Sequence, residues 1–146
     1  MLHSRAIASL LLVGALACNG PARVVTTSGA PAPIGPYSQA MARGEFLFLS
    51  GQIGSDPVTG ALVSGGIVPE TERMLANIEA VLAAEGLGFE HVVSVQAYMV
   101  DLAEFGAFNA AYAKAMGTNA PARATVQVAA LPKGARIEVQ CTAIGP

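Results

Sequence analysis

Apolar and polar positions follow the strand period in some segments of the chain and the helical period in others. Two segments have helical spacing, and each is followed by a glycine that can end a helix, Gly86 and Gly117. Strand-like runs occupy residues 24–27, 46–49, 92–100, 124–129 and 136–144. The pattern predicts an α+β fold in which two helices pack on one face of a sheet.

Two details of the strands also follow from the pattern. The uninterrupted apolar run at 46–49 is typical of a strand buried on both faces. The last two strands are joined through residues 131–134, so we expect them to pair as a hairpin. Alternation then places one set of polar side chains on the face away from the helices. These are Arg123, Thr125, Gln127, Glu138 and Gln140. Such a face is either a solvated surface, an oligomer interface or a site.

Size and charge exclude several classes of protein. The chain has 146 residues, which suits one domain, and its 53% hydrophobic content excludes intrinsic disorder. The 8 Lys and Arg residues against 10 Asp and Glu residues give no basic excess for nucleic-acid binding. With 2 Cys and 2 His, a metal site or a Ser-His-Asp triad is hard to build.

The N-terminus has the pattern of a targeting segment. Arg5 precedes an apolar stretch that ends in Ala15-Leu16-Ala17, so residues 1–17 are predicted to be a signal peptide. Cys18 then stands where a bacterial lipoprotein is lipidated, residues 18–23 are a linker, and residues 24–146 form the domain. This predicts an exported protein, periplasmic or anchored to the membrane through Cys18. The alternative for residues 1–17 is a core helix or strand. The alternatives to lipidation of Cys18 are plain secretion and a disulfide from Cys18 to Cys141.

Six motifs run in order through most of the predicted domain. They are Ile34–Ala40, Ser50–Ile53 with Asp56–Gly60, Asn109 with Tyr112, Pro121–Val126, Leu131–Lys133 and Ile137–Val139. Together they resemble the RidA (YjgF) family of enamine/imine deaminases. The resemblance implies a chorismate-mutase-like fold with a mixed sheet, a homotrimer with sites between subunits, and no metal or other cofactor. It also implies hydrolysis of 2-imino acids, such as 2-iminopropanoate and 2-iminobutanoate, to 2-keto acids and ammonia.

Two charged residues match the chemistry that this reaction needs. A carboxylate beside a C=N group calls for the fork of an arginine, and Arg123 is the match in the family motif. Glu138 matches the glutamate that holds or deprotonates the attacking water. The structural alternatives are a surface ion pair for Arg123 and a role as charge partner for Glu138.

The remaining candidates contact the substrate. Tyr37 is the third catalytic candidate, through its phenol, and packing against another subunit is its alternative. Ser50, Gly51, Thr125 and Asn109 are predicted to bind substrate, Gly51 through a close backbone approach. An ordinary turn is the alternative for Ser50 and Gly51, and a surface or capping amide is the alternative for Asn109.

Position 125 departs from the family pattern, which often has a cysteine there. The family cysteine contributes mainly through its backbone carbonyl, which Thr125 also offers, so hydrolysis is not excluded. Cys141, on the apolar side of the last strand, is predicted to be a small buried hydrophobic residue. A non-catalytic module that binds small carboxylates is the alternative function. RNA cleavage, attributed to some relatives, is disfavoured by the acidic chain.

Overall fold

The computed structural model describes residues 20–145, in which seven strands form one sheet. The strands are β1 (Arg23–Val25), β2 (Ala40–Arg43), β3 (Phe46–Leu49), β4 (Gln52–Ile53), β5 (Val92–Met99), β6 (Ala122–Gln127) and β7 (Ile137–Ile144). The helices are α1 (Ile67–Ala83) and α2 (Phe105–Met116). Both helices pack on one face of the sheet, as the sequence predicts. We refer to the other side as the open face.

The order of the strands places β7 at the centre of the sheet. The sheet runs β1-β2-β3-β7-β5-β6, and β4 pairs with β7 beyond the end of β3. β5 and β6 are parallel, with α2 as the crossover between them, while the other pairs are antiparallel. The sheet is therefore mixed, and β6 is one of its edges.

The predicted hairpin between the last two strands is wrong. β5 lies between β6 and β7 and hydrogen-bonds to both. The reason is the crossover helix α2, because a strand–helix–strand unit places its two strands side by side and parallel. The connection from 128 to 136 is then long enough to carry the chain past β5 to its far side.

The core lies between the helices and the sheet. The alternation in β7 is confirmed, since Ile137, Val139, Cys141 and Ala143 are buried. The prediction that the run 46–49 is buried on both faces is wrong. Leu47 and Leu49 are buried, but Phe46 and Phe48 are 43% and 48% exposed on the open face and stack on each other. The open face therefore carries aromatic surface beside its polar side chains.

The ends of the helices agree with the predicted stop signals. α2 ends at Gly117, whose φ of 60° is positive, a conformation that glycine adopts without strain. Beyond α1 the backbone N–H of Leu87 donates to the carbonyl of Leu82, and Gly86 between them has a φ of 70°. Within residues 20–145 no helix has the length and apolar character needed to cross a membrane.

Candidate active site

A cleft of about 370 Å³ opens on the side of the sheet away from the helices. It brings together four of the predicted residues, Tyr37, Ser50, Gly51 and Glu138. Glu138 comes from the central strand β7, Ser50 and Gly51 from the link between β3 and β4, and Tyr37 from the loop before β2. Residues separated by a hundred positions in the chain therefore meet at one concave site.

Alternation along β7 decides where Glu138 points. Its neighbours Ile137 and Val139 are buried under the helices, so the Glu138 side chain stands on the open face. Ile53 of β4 and Tyr98 of β5 are its cross-strand partners. Burial raises the pKa of the Glu138 carboxyl above its usual value. Among residues 20–145 this carboxylate has no hydrogen-bond or ion-pair partner, so its oxygens are free for a ligand.

Gly51 forms the wall against which Glu138 packs. A Cβ at position 51 would overlap a Glu138 carboxylate oxygen and would lie 2.8 Å from the carboxyl carbon. Any side chain at this position would displace the carboxylate. The predicted close approach is therefore present, but the group that approaches Gly51 in this structure is Glu138.

The proline-rich loop that carries Tyr37 is held by one buried amide. The Gln39 Nε2 donates to the carbonyls of Thr27, Ala30 and Pro31, each at 3.0 Å. The Gln39 Oε1 accepts from the Thr27 N–H at 2.7 Å. These bonds fix a segment that has few backbone partners of its own. Sequence reasoning missed the role of Gln39, although a glutamine directly before an apolar strand is a visible signal.

Tyr37 and Ser50 differ in how much of their hydrogen-bonding capacity is in use. Tyr37 is 51% exposed at the cleft, and its hydroxyl accepts from the Ile34 N–H at 3.3 Å. The phenol proton is therefore available to a ligand. The Ser50 Oγ donates to the carbonyl of Ser38 at 2.6 Å, which ties the start of the cleft wall to the Tyr37 loop.

Arg123 lies on the other side of the sheet. Its partner in β5 is Val95, which is buried beneath the helices, so Arg123 points to the helix face at the β6 edge. The guanidinium carbon is 4.5 Å from the centre of the Tyr112 ring. The Arg123 Nη2 donates to the Oδ1 of Asn109 at 2.6 Å. Asn109 thus orients the guanidinium, and the aromatic ring supports it by cation–π attraction.

The polar face predicted from the last two strands is divided between the two sides of the sheet. Arg123 and Thr125 stand on the helix face and Glu138 and Gln140 on the open face, because β6 pairs with β5 and not with β7. The expectation that Arg123 and Glu138 share a face within one chain is wrong. Asn109, Thr125 and Arg123 form one group at the β6 edge, and the Glu138 cleft is the other.

Further polar side chains line the Glu138 cleft, among them Tyr98, Lys133 and Gln140. Gln140 belongs to the predicted polar face and Lys133 to a family motif, whereas Tyr98 was missed by sequence reasoning. Alternation in β5 could have identified Tyr98, since its neighbours on both sides are apolar. Lys133 has a φ of 57°, and its Nζ donates to the carbonyl of Gly60. In the part of the chain that the structure describes, no cluster of three His, Cys, Asp or Glu side chains is placed to hold a metal.

Comparison with known proteins identifies the family. The family model described as Endoribonuclease L-PSP matches residues 27–145. The chain belongs to the RidA (YjgF) family. A human 2-iminobutanoate/2-iminopropanoate deaminase is 46% identical over 125 residues, which are 85% of this chain and 91% of the human protein. A RutC family protein of Pyrococcus horikoshii is 45% identical over 82% of this chain and 95% of its own.

Solved structures of RidA proteins agree in fold. RidA from an Antarctic Psychrobacter is 37% identical with a TM-score of 0.81, covering 84% of this chain and 98% of that one. TdcF of E. coli, solved with bound serine, is 31% identical with a TM-score of 0.80, covering 85% of this chain and 99% of the other. The RidA-like α+β fold expected from the motifs is confirmed.

The predicted location is wrong. Among the relatives that match most of the chain are deaminases of mammals and RutC family proteins of archaea, organisms without a bacterial periplasm. The family match begins at residue 27, after the segment on which export and lipid anchoring were predicted. The predicted signal peptide (1–17) and Cys18 lie outside the described residues.

Proposed function

We propose that this protein hydrolyses 2-imino acids, and the enamines that interconvert with them, to 2-keto acids and ammonia. The observation that carries the proposal is the Glu138 carboxylate. It is half-buried, has a raised pKa, and lies without a partner among residues 20–145 in a cleft large enough for a small metabolite. Relatives at 42–46% identity are named 2-iminobutanoate/2-iminopropanoate deaminases, which supports the same reaction.

Each candidate residue has a role in this reaction. The Arg123 fork binds the substrate carboxylate, and Asn109 holds that fork in place. Glu138 takes a proton from water as the water oxygen bonds to the imine carbon, and the proton passes to the nitrogen. Collapse of the resulting carbinolamine releases ammonia and leaves the 2-keto acid. The bound serine of TdcF, a small amino acid with a carboxylate, is consistent with this substrate class.

The other residues hold the substrate between these two groups. Tyr37 donates its phenol proton to the ligand, and Gly51 offers backbone contact beside Glu138. Ser50 contributes by fixing the cleft wall through its bond to Ser38. Thr125 follows Arg123 on the same side of β6 and contributes its backbone carbonyl, which needs no thiol.

The active site requires more than one copy of the chain. Arg123 and Glu138 stand on opposite faces of one sheet, so a single chain does not present both to one substrate. The open face also leaves Phe46, Phe48 and Val126 exposed. We propose the homotrimer that the resemblance implies, in which the β6 edge of one copy closes the Glu138 cleft of the next. Such a head-to-tail contact closes into a ring.

Turnover and complementation test the proposal. Imines generated from amino acids by an amino-acid oxidase should decay faster with the protein than in buffer. Arg123→Ala and Glu138→Gln should each abolish this activity and leave the oligomer intact. Mixing the two inactive variants after unfolding and refolding together should restore activity at about a quarter of the sites, those combining two intact surfaces.

The results of this experiment separate the alternatives. Restored activity in the mixture requires residues from two copies, while two variants that stay inactive together contradict a shared site. Binding of a small carboxylate without any turnover by the wild-type protein would favour the non-catalytic binding module. RNA cleavage that disappears with Glu138→Ala would instead favour a ribonuclease.

A further inference from the structure

The helix α1 turns two polar side chains into the core. Glu70 and Asn77 are 4% and 0% exposed, respectively, and they are two helical turns apart on one face. The other buried positions of this face are mainly apolar, for example Met74 and Ile78. A buried polar group is costly unless its hydrogen bonds are satisfied, so the contacts of these two side chains show what they hold.

Asn77 holds the strand beside Glu138. Its Nδ2 donates to the carbonyl of Ile53 at 3.1 Å and to that of Ser55 at 2.9 Å. The orientation of the amide is fixed, because the reversed amide would set its oxygen against two carbonyl oxygens. Ile53 is the cross-strand partner of Glu138. A side chain on the helix face of the sheet therefore fixes the backbone that lies next to the carboxylate.

Glu70 holds the strand that carries Glu138. Its Oε2 accepts from the backbone N–H of Arg136 at 2.8 Å, two residues before Glu138. The backbone of Glu70 also packs against Gly54, where an added Cβ would lie 2.7 Å from the Glu70 Cα. This contact leaves no space between α1 and the segment that follows β4.

We propose that Glu70 and Asn77 are positioning residues for Glu138. Asn77 sets the position of β4 and Glu70 sets the start of β7, so together they keep Gly51 packed against the carboxylate. If either contact is lost, β4 and β7 move apart, Gly51 no longer packs against the carboxylate, and Glu138 loses part of its burial. This inference rests on the proposed function, but the position of Glu138 can also be measured without turnover.

The experiment compares variants that keep or lose these contacts. Asn77→Ala and Glu70→Ala remove them, whereas Glu70→Gln keeps an oxygen that accepts from Arg136. Leu82→Ala is the matched control, since Leu82 is buried in α1 and its side chain makes no hydrogen bond. Deaminase kinetics give kcat and KM, and carbon NMR of labelled glutamate gives the pKa of Glu138. The ionisable groups around that carboxylate, Tyr37, Tyr98 and Lys133, are unchanged in all variants.

We expect kcat to fall about 10- to 100-fold in Asn77→Ala and Glu70→Ala with little change in KM. The pKa of Glu138 should fall towards its usual value in the same variants. Glu70→Gln and Leu82→Ala should keep both properties, even where Leu82→Ala lowers the melting temperature more. Equal kcat and equal pKa in the alanine variants and the control would overturn the inference.

Two outcomes would leave part of the experiment without a readout. If Asn77→Ala does not fold, the Glu70 pair alone decides, since Glu70→Gln preserves size and the acceptor. If the wild-type protein does not turn over imines, the proposed function fails, and the NMR titration still decides the positioning role.

Discussion

The Glu138 cleft and the Arg123 edge are built in opposite ways. Glu138 has no hydrogen-bond or ion-pair partner among the described residues and packs against Gly51, so its carboxylate is poorly satisfied. Arg123 is held by Asn109 and lies over the rings of Phe105, Phe108 and Tyr112. One region leaves its charged group without a partner, and the other holds its charged group in a fixed direction.

This difference fits the two roles that we propose for Glu138 and Arg123 in the reaction. A group that moves a proton needs a pKa closer to the working pH, which partial burial provides for Glu138. A group that binds a carboxylate needs a permanent charge and a fixed geometry, which Arg123 and Asn109 provide.

Among the substitutions that test this comparison, the largest effect short of complete loss of activity is expected from Arg123→Lys. Lysine keeps the charge but loses the fork, the bond to Asn109 and the planar contact with Tyr112. We expect the transition-state stabilisation measured by kcat/KM to fall by about 1.5–3 kcal/mol, mostly because KM rises. Steady-state kinetics measure it, and an unchanged Glu138 pKa by NMR is the control. If Arg123→Lys has the kinetics of the wild-type protein, Arg123 at the β6 edge does not bind the substrate carboxylate.

Gly51→Ala should damage the other region. The new Cβ would overlap the Glu138 carboxylate and displace it, so we expect kcat to fall about 10- to 100-fold. Overpacking should also cost about 1–3 kcal/mol of stability. Gly106→Ala is the matched control, because an added Cβ there meets nothing within 4 Å. Equal kinetics in the two alanine variants would show that Gly51 does not shape the site.

A smaller effect concerns stability and pH. The pKa of Glu138 is raised by burial, so the folded protein holds this proton more tightly than the unfolded chain does. Stability is therefore lost as pH rises from the usual glutamate pKa through the raised one. Glu138→Gln removes that loss and should raise the melting temperature at about pH 7 but not at about pH 3. A variant that is less stable at both pH values would contradict this sign.

The smallest effect is expected from Cys141→Ala. Cys141 is buried in β7 beneath the helices, and desolvation raises the pKa of its thiol to about 12. We expect a stability loss of about 1 kcal/mol, measured by denaturant unfolding, and unchanged deaminase kinetics. Rapid reaction of a folded Cys18→Ala variant with a thiol reagent would show that Cys141 is accessible.

Local pattern predicted most elements but not all of their neighbours. The helices and β5, β6 and β7 follow from hydrophobic periodicity, and β3 follows from its apolar run. The short strands β2 and β4 show neither pattern clearly. The same alternation correctly placed the buried side of β7. It failed for the pairing of β6, because periodicity says which side of a strand is buried and not which strand lies beside it.

The sequence by itself determined the family, the α+β composition and the residue types able to bind a carboxylate and activate water. Those properties are local, since each motif is read from a few consecutive side chains. Tertiary structure decided that Arg123 and Glu138 face opposite sides of the sheet, and that Gly51, Glu70 and Asn77 surround β4 and β7. These depend on strand order and helix packing, which join residues far apart in the chain through contacts that no local pattern encodes.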